Sequence, residues 1–199
     1  LLRLSKTRHH QRKQRLLCNR YFKGEKWHGI GTYAGIFGYD GKAFVIINDK
    51  TLGLKSETGE LHIRSILEDS KGRLWIGNNG IGVLLKEGDK ITNFSQDQHL
   101  IHPTSSKRAT PERGNRSRPG TLEHVFTIYE DGKGNIWFGD RDAGIWKYDG
   151  NSMTNYTQKD GLTDDFAQSI FEDKNGELWF GMGNGHVFKF NGKTFEKQF

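Results

Sequence analysis

Three stretches of the chain obey one template: an acidic pair, two residues, Gly, two residues, Trp, one residue, Gly. The clearest runs from Glu130-Asp131 through Gly134 and Trp137 to Gly139. Glu68-Asp69 with Gly72, Trp75 and Gly77 is a second copy, and Glu172-Asp173 with Gly176, Trp179 and Gly181 a third. A fainter copy lies at Gly24, Trp27 and Gly29. Self-similarity on this scale means that each copy is one supersecondary unit, unable to bury its apolar face alone and stacked on its neighbours.

The Trp positions 27, 75, 137 and 179 are separated by 48, 62 and 42 residues, so a period near 42 with insertions accounts for all of them. The extra residues fall between units, near Thr51 to Glu60 and across Ile101 to His124. Aligning the first unit on its Gly and Trp sets Leu16 to Cys18 where Gln168 to Ile170 stand, and replaces the acidic pair by Arg20 and Tyr21. Further on, Ala34 to Gly41 mirrors Ala143 to Gly150 over eight residues.

Each unit reads as four short strands. In the third, Val125 to Tyr129 alternates and ends at the acidic pair, Gly-Lys-Gly-Asn turns the chain into Ile136 to Gly139, and Gly144 to Tyr148 and Met153 to Thr157 follow, joined by Asp149-Gly150-Asn151. Period-two alternation broken by Asp-Gly and Asn-Gly is the hairpin signature. Four antiparallel strands in about 42 residues is the size of a propeller blade. The expected fold is therefore all-β, a β-propeller of four-stranded antiparallel blades with about four blades present, as part of a larger propeller. The blades span about 16–50, 61–100, 124–160 and 166–199, after a basic tail at 1–15 expected to be disordered. A basic loop insert occupies 101–123. Within the template Asp131 is expected to cap its turn, Gly134 to take φ > 0 and Trp137 to wedge between blades.

Composition agrees. Only 33% of residues are apolar, but 12% are aromatic, and each buried ring removes a large area from water. The net charge of +6 belongs to two appendages. Residues 1–28 hold nine Lys or Arg against Glu25, and residues 101–124 hold five against Glu112 and Glu123, which leaves the repeats acidic on balance. Basic runs without interleaved aromatics attract polyanions only non-specifically, so no specific nucleic acid partner is expected. Cys18 is the single cysteine and excludes an intrachain disulfide. The stretch Leu16-Leu17-Cys18 lacks the small residue and apolar run of a lipoprotein signal, and no segment has the length and apolarity of a membrane helix. The turn from Asp173 opens like a calcium loop, but its twelfth position is Asn184 rather than a bidentate Glu.

The residues Ile128-Tyr129-Glu130-Asp131, Gly134 to Gly139 and Ala143-Gly144-Ile145 resemble the two-component regulator propeller repeat. Three good copies and one degenerate copy cover residues 16–199 apart from the insert. The resemblance implies a β-propeller in the extracytoplasmic, periplasmic sensor region of a bacterial hybrid two-component system. Such a module binds a ligand or partner, often in carbohydrate utilisation, and passes on a conformational signal. It implies no catalytic group and no cofactor. Family propellers usually close with seven blades, and about four are present here. The chain is then a piece of a larger propeller, an unusual four-bladed ring, or a unit that assembles with copies of itself. The first is expected, because the chain begins without Met and ends where a fourth strand finishes. Other blades or domains of a longer chain would be its partners, and membrane attachment would come only through segments outside it.

The loop between the second and third strands of a blade shares one end of the propeller with the loop leading to the next blade. Ligand-binding residues are therefore expected where the copies diverge: Asn78, Asn79, Asp140, Arg141, Asp142, Asn184 and His186. Their amides, carboxylates, guanidinium and imidazole suit sugar hydroxyls or a protein partner. Arg113, Arg116 and Arg118 of the insert are candidates for a phosphate or an acidic partner. No Gly-x-Ser-x-Gly elbow is present, and His99 and His102 lack a third ligand at zinc spacing, so no catalytic residue and no metal ligand is assigned. The alternatives are a propeller enzyme of lyase type, which would bring His186 together with a second His or a Glu, and a protein- or polyanion-binding scaffold.

Overall fold

A computed structural model describes residues 18–25, 27–54, 60–102 and 117–199. The tail at 1–15 and most of the insert, including Arg113 and Arg116, lie outside the described residues. Sixteen strands form four antiparallel sheets, each a meander whose strands pair in chain order. Blade 1 contains β1 (Cys18–Lys23), β2 (His28–Thr32), β3 (Gly35–Tyr39) and β4 (Phe44–Asn48). Blade 2 contains β5 (Ile63–Glu68), β6 (Leu74–Asn78), β7 (Val83–Glu87) and β8 (Lys90–Asn93). Blade 3 contains β9 (Val125–Glu130), β10 (Ile136–Asp140), β11 (Ile145–Tyr148) and β12 (Met153–Tyr156). Blade 4 contains β13 (Ala167–Glu172), β14 (Leu178–Met182), β15 (Val187–Phe190) and β16 (Phe195–Lys197). Single-turn helices α1 (Asp49–Leu52) and α2 (Phe94–Asp97) follow the outer strands of blades 1 and 2.

The first strands β1, β5, β9 and β13 lie side by side, and the second strand of each blade meets the first strand of the next. The first strands therefore line the inner edge and the fourth strands form the rim, as in a propeller. Three apolar clusters fill the gaps between the four sheets, one per joint.

The template residues divide the work of a joint between them. Asp131 Oδ1 accepts from the N–H groups of Lys133 and Asn135 at 3.0 and 2.9 Å, closing its own hairpin, while Oδ2 accepts from the Trp137 indole at 2.8 Å. Burial pushes the Asp131 carboxyl up, but the bonds from Trp137, Asn135 and Lys133 more than reverse it and leave it below its ordinary value. Asp69 holds Trp75 in the same way, at 2.8 Å, and Asp173 holds Trp179, at 3.1 Å. So oriented, Trp137 packs edge-on to Phe180 and Phe190 of blade 4, and Trp75 contacts Phe138 and Tyr148 of blade 3. The expected wedge is the observed one.

The Glu of the pair has a different task, reaching back to the preceding blade. Glu130 accepts from Ser70 N–H, Glu172 from Gly132 N–H at 2.7 Å, and Glu68 from Trp27 N–H at 3.0 Å. The closing Gly of the template is a matter of contact rather than of torsion. A Cβ on Gly139 would stand 2.6 Å from the Ala167 carbonyl oxygen, and one on Gly77 3.0 Å from that of Val125, so the inner strand of the next blade fits only against a bare backbone.

Blade 1 departs from its expected alignment. The register of β1 and β2, with Arg20↔Gly31 and Lys23↔His28, sets Gly31 where Gly77 stands in blade 2 and Trp27 at the hairpin position of Arg73. The acidic pair is replaced by Lys23 and Gly24, not by Arg20 and Tyr21. The hairpin is one residue shorter, Gly24 N–H bonding to Trp27 C=O where Asp69 bonds to Arg73. Trp27 nevertheless fills the same gap: it is buried in the first cluster, with Lys86 of blade 2 over its ring.

Candidate functional site

Each inner strand carries a register shift at the same place: between Cys18 and Arg20, Ile63 and Ser65, Val125 and Thr127, and Ala167 and Ser169. The residues skipped are Asn19, Arg64, Phe126 and Gln168. A bulge re-aims its side chain out of the sheet alternation. The flanking residues repeat as small or branched apolar before and Ser or Thr after in blades 2 to 4, whereas the bulge residue itself differs in every blade.

In blades 2 and 3 these residues meet. The Arg64 guanidinium carbon lies 4.7 Å from the ring centre of Phe126 and 5.0 Å from that of Tyr33, whose hydroxyl pairs with Arg64 Nη1 at 3.3 Å. Phe126 meets Phe166 edge-on at 5.0 Å, and Tyr33 meets His62 at 4.5 Å. Tyr33, His62, Arg64, Phe126 and Phe166, drawn from all four blades, thus make one half-exposed aromatic strip with a cation in it along the inner edge. Sequence reasoning missed this strip. Its signal was the irregular residue between two regular ones, at positions 64 and 126.

The expected binding residues do share the end of the propeller at which the strip begins, but burial divides them. Asp140 and Asn78 are fully buried. Asp140 accepts five hydrogen bonds, from Asp142 N–H, Ala143 N–H, Ser117 Oγ, Glu123 N–H and His124 N–H, at 2.7 to 3.1 Å. It ties the returning end of the insert, the entrance to β9 and the β10–β11 loop to one carboxylate. Burial pushes it up to about 6 against those bonds. Asn78 does the smaller version of this task, accepting from His62 N–H at 3.3 Å. Both are structural pins with no surface to offer a ligand, and Met182 and Thr32 occupy the same place in blades 4 and 1.

Asn79, Arg141 and Asp142 stand beside the pins and remain partly exposed. Asn79 N–H bonds to His62 C=O and Arg141 N–H to His124 C=O, so each marks the point where the loop joins the inner strand. Arg141 Nε donates to Asp142 Oδ2 at 2.8 Å, and the same oxygen accepts from Ser117 N–H. His124, buried beneath them, is held down at about 4, chiefly by burial and then by the Arg141 charge, against the pull of Asp142. It is neutral at neutral pH. Asn184 and His186 lie apart on blade 4, where His186 Nδ1 pairs with Thr163 Oγ1 at 2.7 Å and Asn184 Nδ2 donates to the same hydroxyl at 3.3 Å. Among the described residues no three His, Cys, Asp or Glu side chains are grouped as metal ligands. Arg118 pairs with His102 near the base of the insert, where Leu122 N–H bonds to Leu100 C=O.

Residues 59–80, 120–142 and 161–184 match the two component regulator propeller family. None of the curated proteins matches the chain in sequence. Among solved structures, the extracellular domain of BT3049, classed as a hybrid two component system of B. thetaiotaomicron, superposes with a TM-score of 0.65 at 25% identity over 90% of this chain and 22% of that one. Virginiamycin B lyase of Staphylococcus aureus gives 0.60 at 14% identity over 89% of this chain and 53% of the lyase. PorZ of Porphyromonas gingivalis, a surface component of the type-IX secretion system, gives 0.56 at 14% over 89% and 26%. The chain thus spans about half the lyase and about a quarter of the other two. No helix among the described residues is long and apolar enough to cross a membrane.

Proposed function

The chain is built of two component regulator propeller repeats, and from that premise we propose that it is a ligand-recognition module of an extracytoplasmic bacterial sensor, binding a glycan at its inner edge. The observation that carries this reading is the strip of Tyr33, Arg64, Phe126 and Phe166. Flat rings take the C–H faces of a sugar, and a guanidinium held between two rings keeps its direction while hydrogen-bonding a hydroxyl or carboxylate. Asn79, Arg141 and Asp142 border the strip and supply further donors and acceptors. Asn184 and His186, reaching from blade 4, would contact only a longer saccharide. The extracellular setting is supported by the BT3049 domain, and signal output would reside in other parts of a longer protein.

A thermal-shift panel of oligosaccharides on the whole chain tests this, because a ligand confined to the folded state raises its melting temperature. Phe126→Ala should weaken the responding saccharide at least about tenfold, the cost of one aromatic platform. A panel without a response, or a response unchanged in Phe126→Ala, would sink the assignment.

A further inference from the structure

Where blades 1 and 2 meet, the polar groups built into the strip are donors. The Arg64 guanidinium has no acceptor. Its Nη1 donates to the Tyr33 hydroxyl at 3.3 Å, which uses one lone pair of that oxygen and turns the phenol's own proton away from the guanidinium. Asn79 Nδ2 stands 3.3 Å from His62 Nδ1, so that nitrogen accepts and the ring proton sits on Nε2. The three groups are held together: the His62 ring meets Tyr33 edge-on at 4.5 Å, and Arg64 lies over both Tyr33 and Phe126. The carboxylate on their border, Asp142, already accepts from Arg141 and Ser117. The surrounding charge has the same sign as Arg64: at His124, behind burial, the Arg141 charge outweighs that of Asp142 and Arg64 adds to it. At blade 4 the strip ends differently. Phe166 follows Asp164 and Asp165, and its N–H bonds to Asp164 Oδ1 at 3.3 Å, so negative charge flanks that end.

We propose that the glycan bound by the strip is acidic, with the carboxylate of a uronic acid unit received at blades 1 and 2 by Arg64, Tyr33 and His62. The inference rests on the glycan reading of the strip and narrows it to one class. Sugar hydroxyls donate as well as accept, so a site for neutral sugars needs acceptors among its donors. A carboxylate only accepts, which makes it the complement of a donor set, and its hydrogen bonds to a cation are the strong ones. Held between two rings, the guanidinium gives up little freedom on binding. The sugar ring that carries the carboxylate then lies against Phe126. The chain continues toward Phe166, where the aspartates accept from hydroxyls and disfavour a second acid.

Calorimetric titration of the whole chain with oligogalacturonates and hyaluronan oligosaccharides, each beside its methyl ester, tests this, because esterification removes the charge and leaves the sugar chain. At least one acid should bind about thirtyfold more tightly than its ester, the range of a hydrogen bond to a charged group, and the preference should shrink as salt rises. Arg64→Gln should bring acid and ester to equal affinity, whereas Phe126→Ala should weaken both alike; circular dichroism melts verify that the variants fold. Tyr33→Phe keeps both rings of the sandwich and should weaken the acid about fivefold, which keeps the assignment testable if Arg64→Gln does not fold. Esters or neutral oligosaccharides that bind as tightly as the acids would overturn this inference and leave the glycan reading standing. Failure of every saccharide, acidic or neutral, overturns both. An acid preference unchanged in Arg64→Gln and Tyr33→Phe also overturns it, since the preference would then come from charge elsewhere.

Discussion

Glu130 grips Ser70 twice across the joint between blades 3 and 2: one carboxylate oxygen accepts from the Ser70 N–H and the other from its hydroxyl, both at 2.6 Å. The pair is largely exposed, so its worth is set by geometry rather than by burial. A double-mutant cycle of Glu130→Ala and Ser70→Ala, read by urea denaturation, should give a coupling of about 0.5–1 kcal/mol. A coupling indistinguishable from zero would mean that the clasp sets direction without adding stability.

Asp131 and Trp137 make the buried counterpart. Asp131→Ala removes the acceptor of the indole and of two hairpin N–H groups, and should cost about 3 kcal/mol. Trp137→Phe keeps an aromatic wedge but loses the indole bond and some volume, for about 2–3 kcal/mol. Equal effects of Trp179→Phe and Trp137→Phe in thermal denaturation would contradict the wedge, since Trp137 is buried in a joint and Trp179 is partly exposed.

Gly139 and Gly181 occupy the same template position with different surroundings. A methyl at Gly139 meets the Ala167 backbone oxygen, which cannot move aside, whereas one at Gly181 meets only the Ser169 side chain. Gly139→Ala should cost about 1–3 kcal/mol, the usual range for overpacking, and Gly181→Ala clearly less. Denaturation midpoints of the two variants in parallel decide it.

His124 and Asp140 tilt stability against pH in opposite directions. The imidazole falls from 6.5 to about 4 on folding, so its contribution is complete above 6.5 and is lost as pH drops toward 4. The carboxyl rises from 3.8 to about 6, so its contribution is present below 3.8 and is lost as pH climbs to 6. Between pH 4 and 6 the two slopes offset. Asp140→Asn leaves the His124 slope alone, and its stability should climb by about 3 kcal/mol from pH 4 to 6.5 relative to the wild-type curve. Parallel curves for the two proteins would refute the assignment.

Much of the fold was legible because repetition multiplies weak local signals. An Asp six residues before a Trp, read three times, specifies a hairpin and a wedge wherever it occurs. Blade 1 was legible as a blade but not in register: its Gly-x-x-Trp imitates the template, while the ladder of β1 and β2 places that Trp in the turn. A spacing of residues within one strand does not by itself fix which residues of the neighbouring strand they pair with.

For the site, divergence between copies picked out one end of the propeller, but not which of its residues are buried there. Asp140 and Asn78 differ between blades because each blade fastens its loop differently, and the chain alone does not show that five donors converge on one carboxylate. Conversely, Arg64 and Phe126 lie 62 residues apart and acquire a common role only when the inner strands are brought side by side, with a bulge turning each toward the other. The sequence by itself determined the blade, its hairpins and its wedge, because those depend on contacts within about ten residues. Only the tertiary structure decided which variable residues face solvent together, because that depends on how neighbouring blades converge at their inner edge.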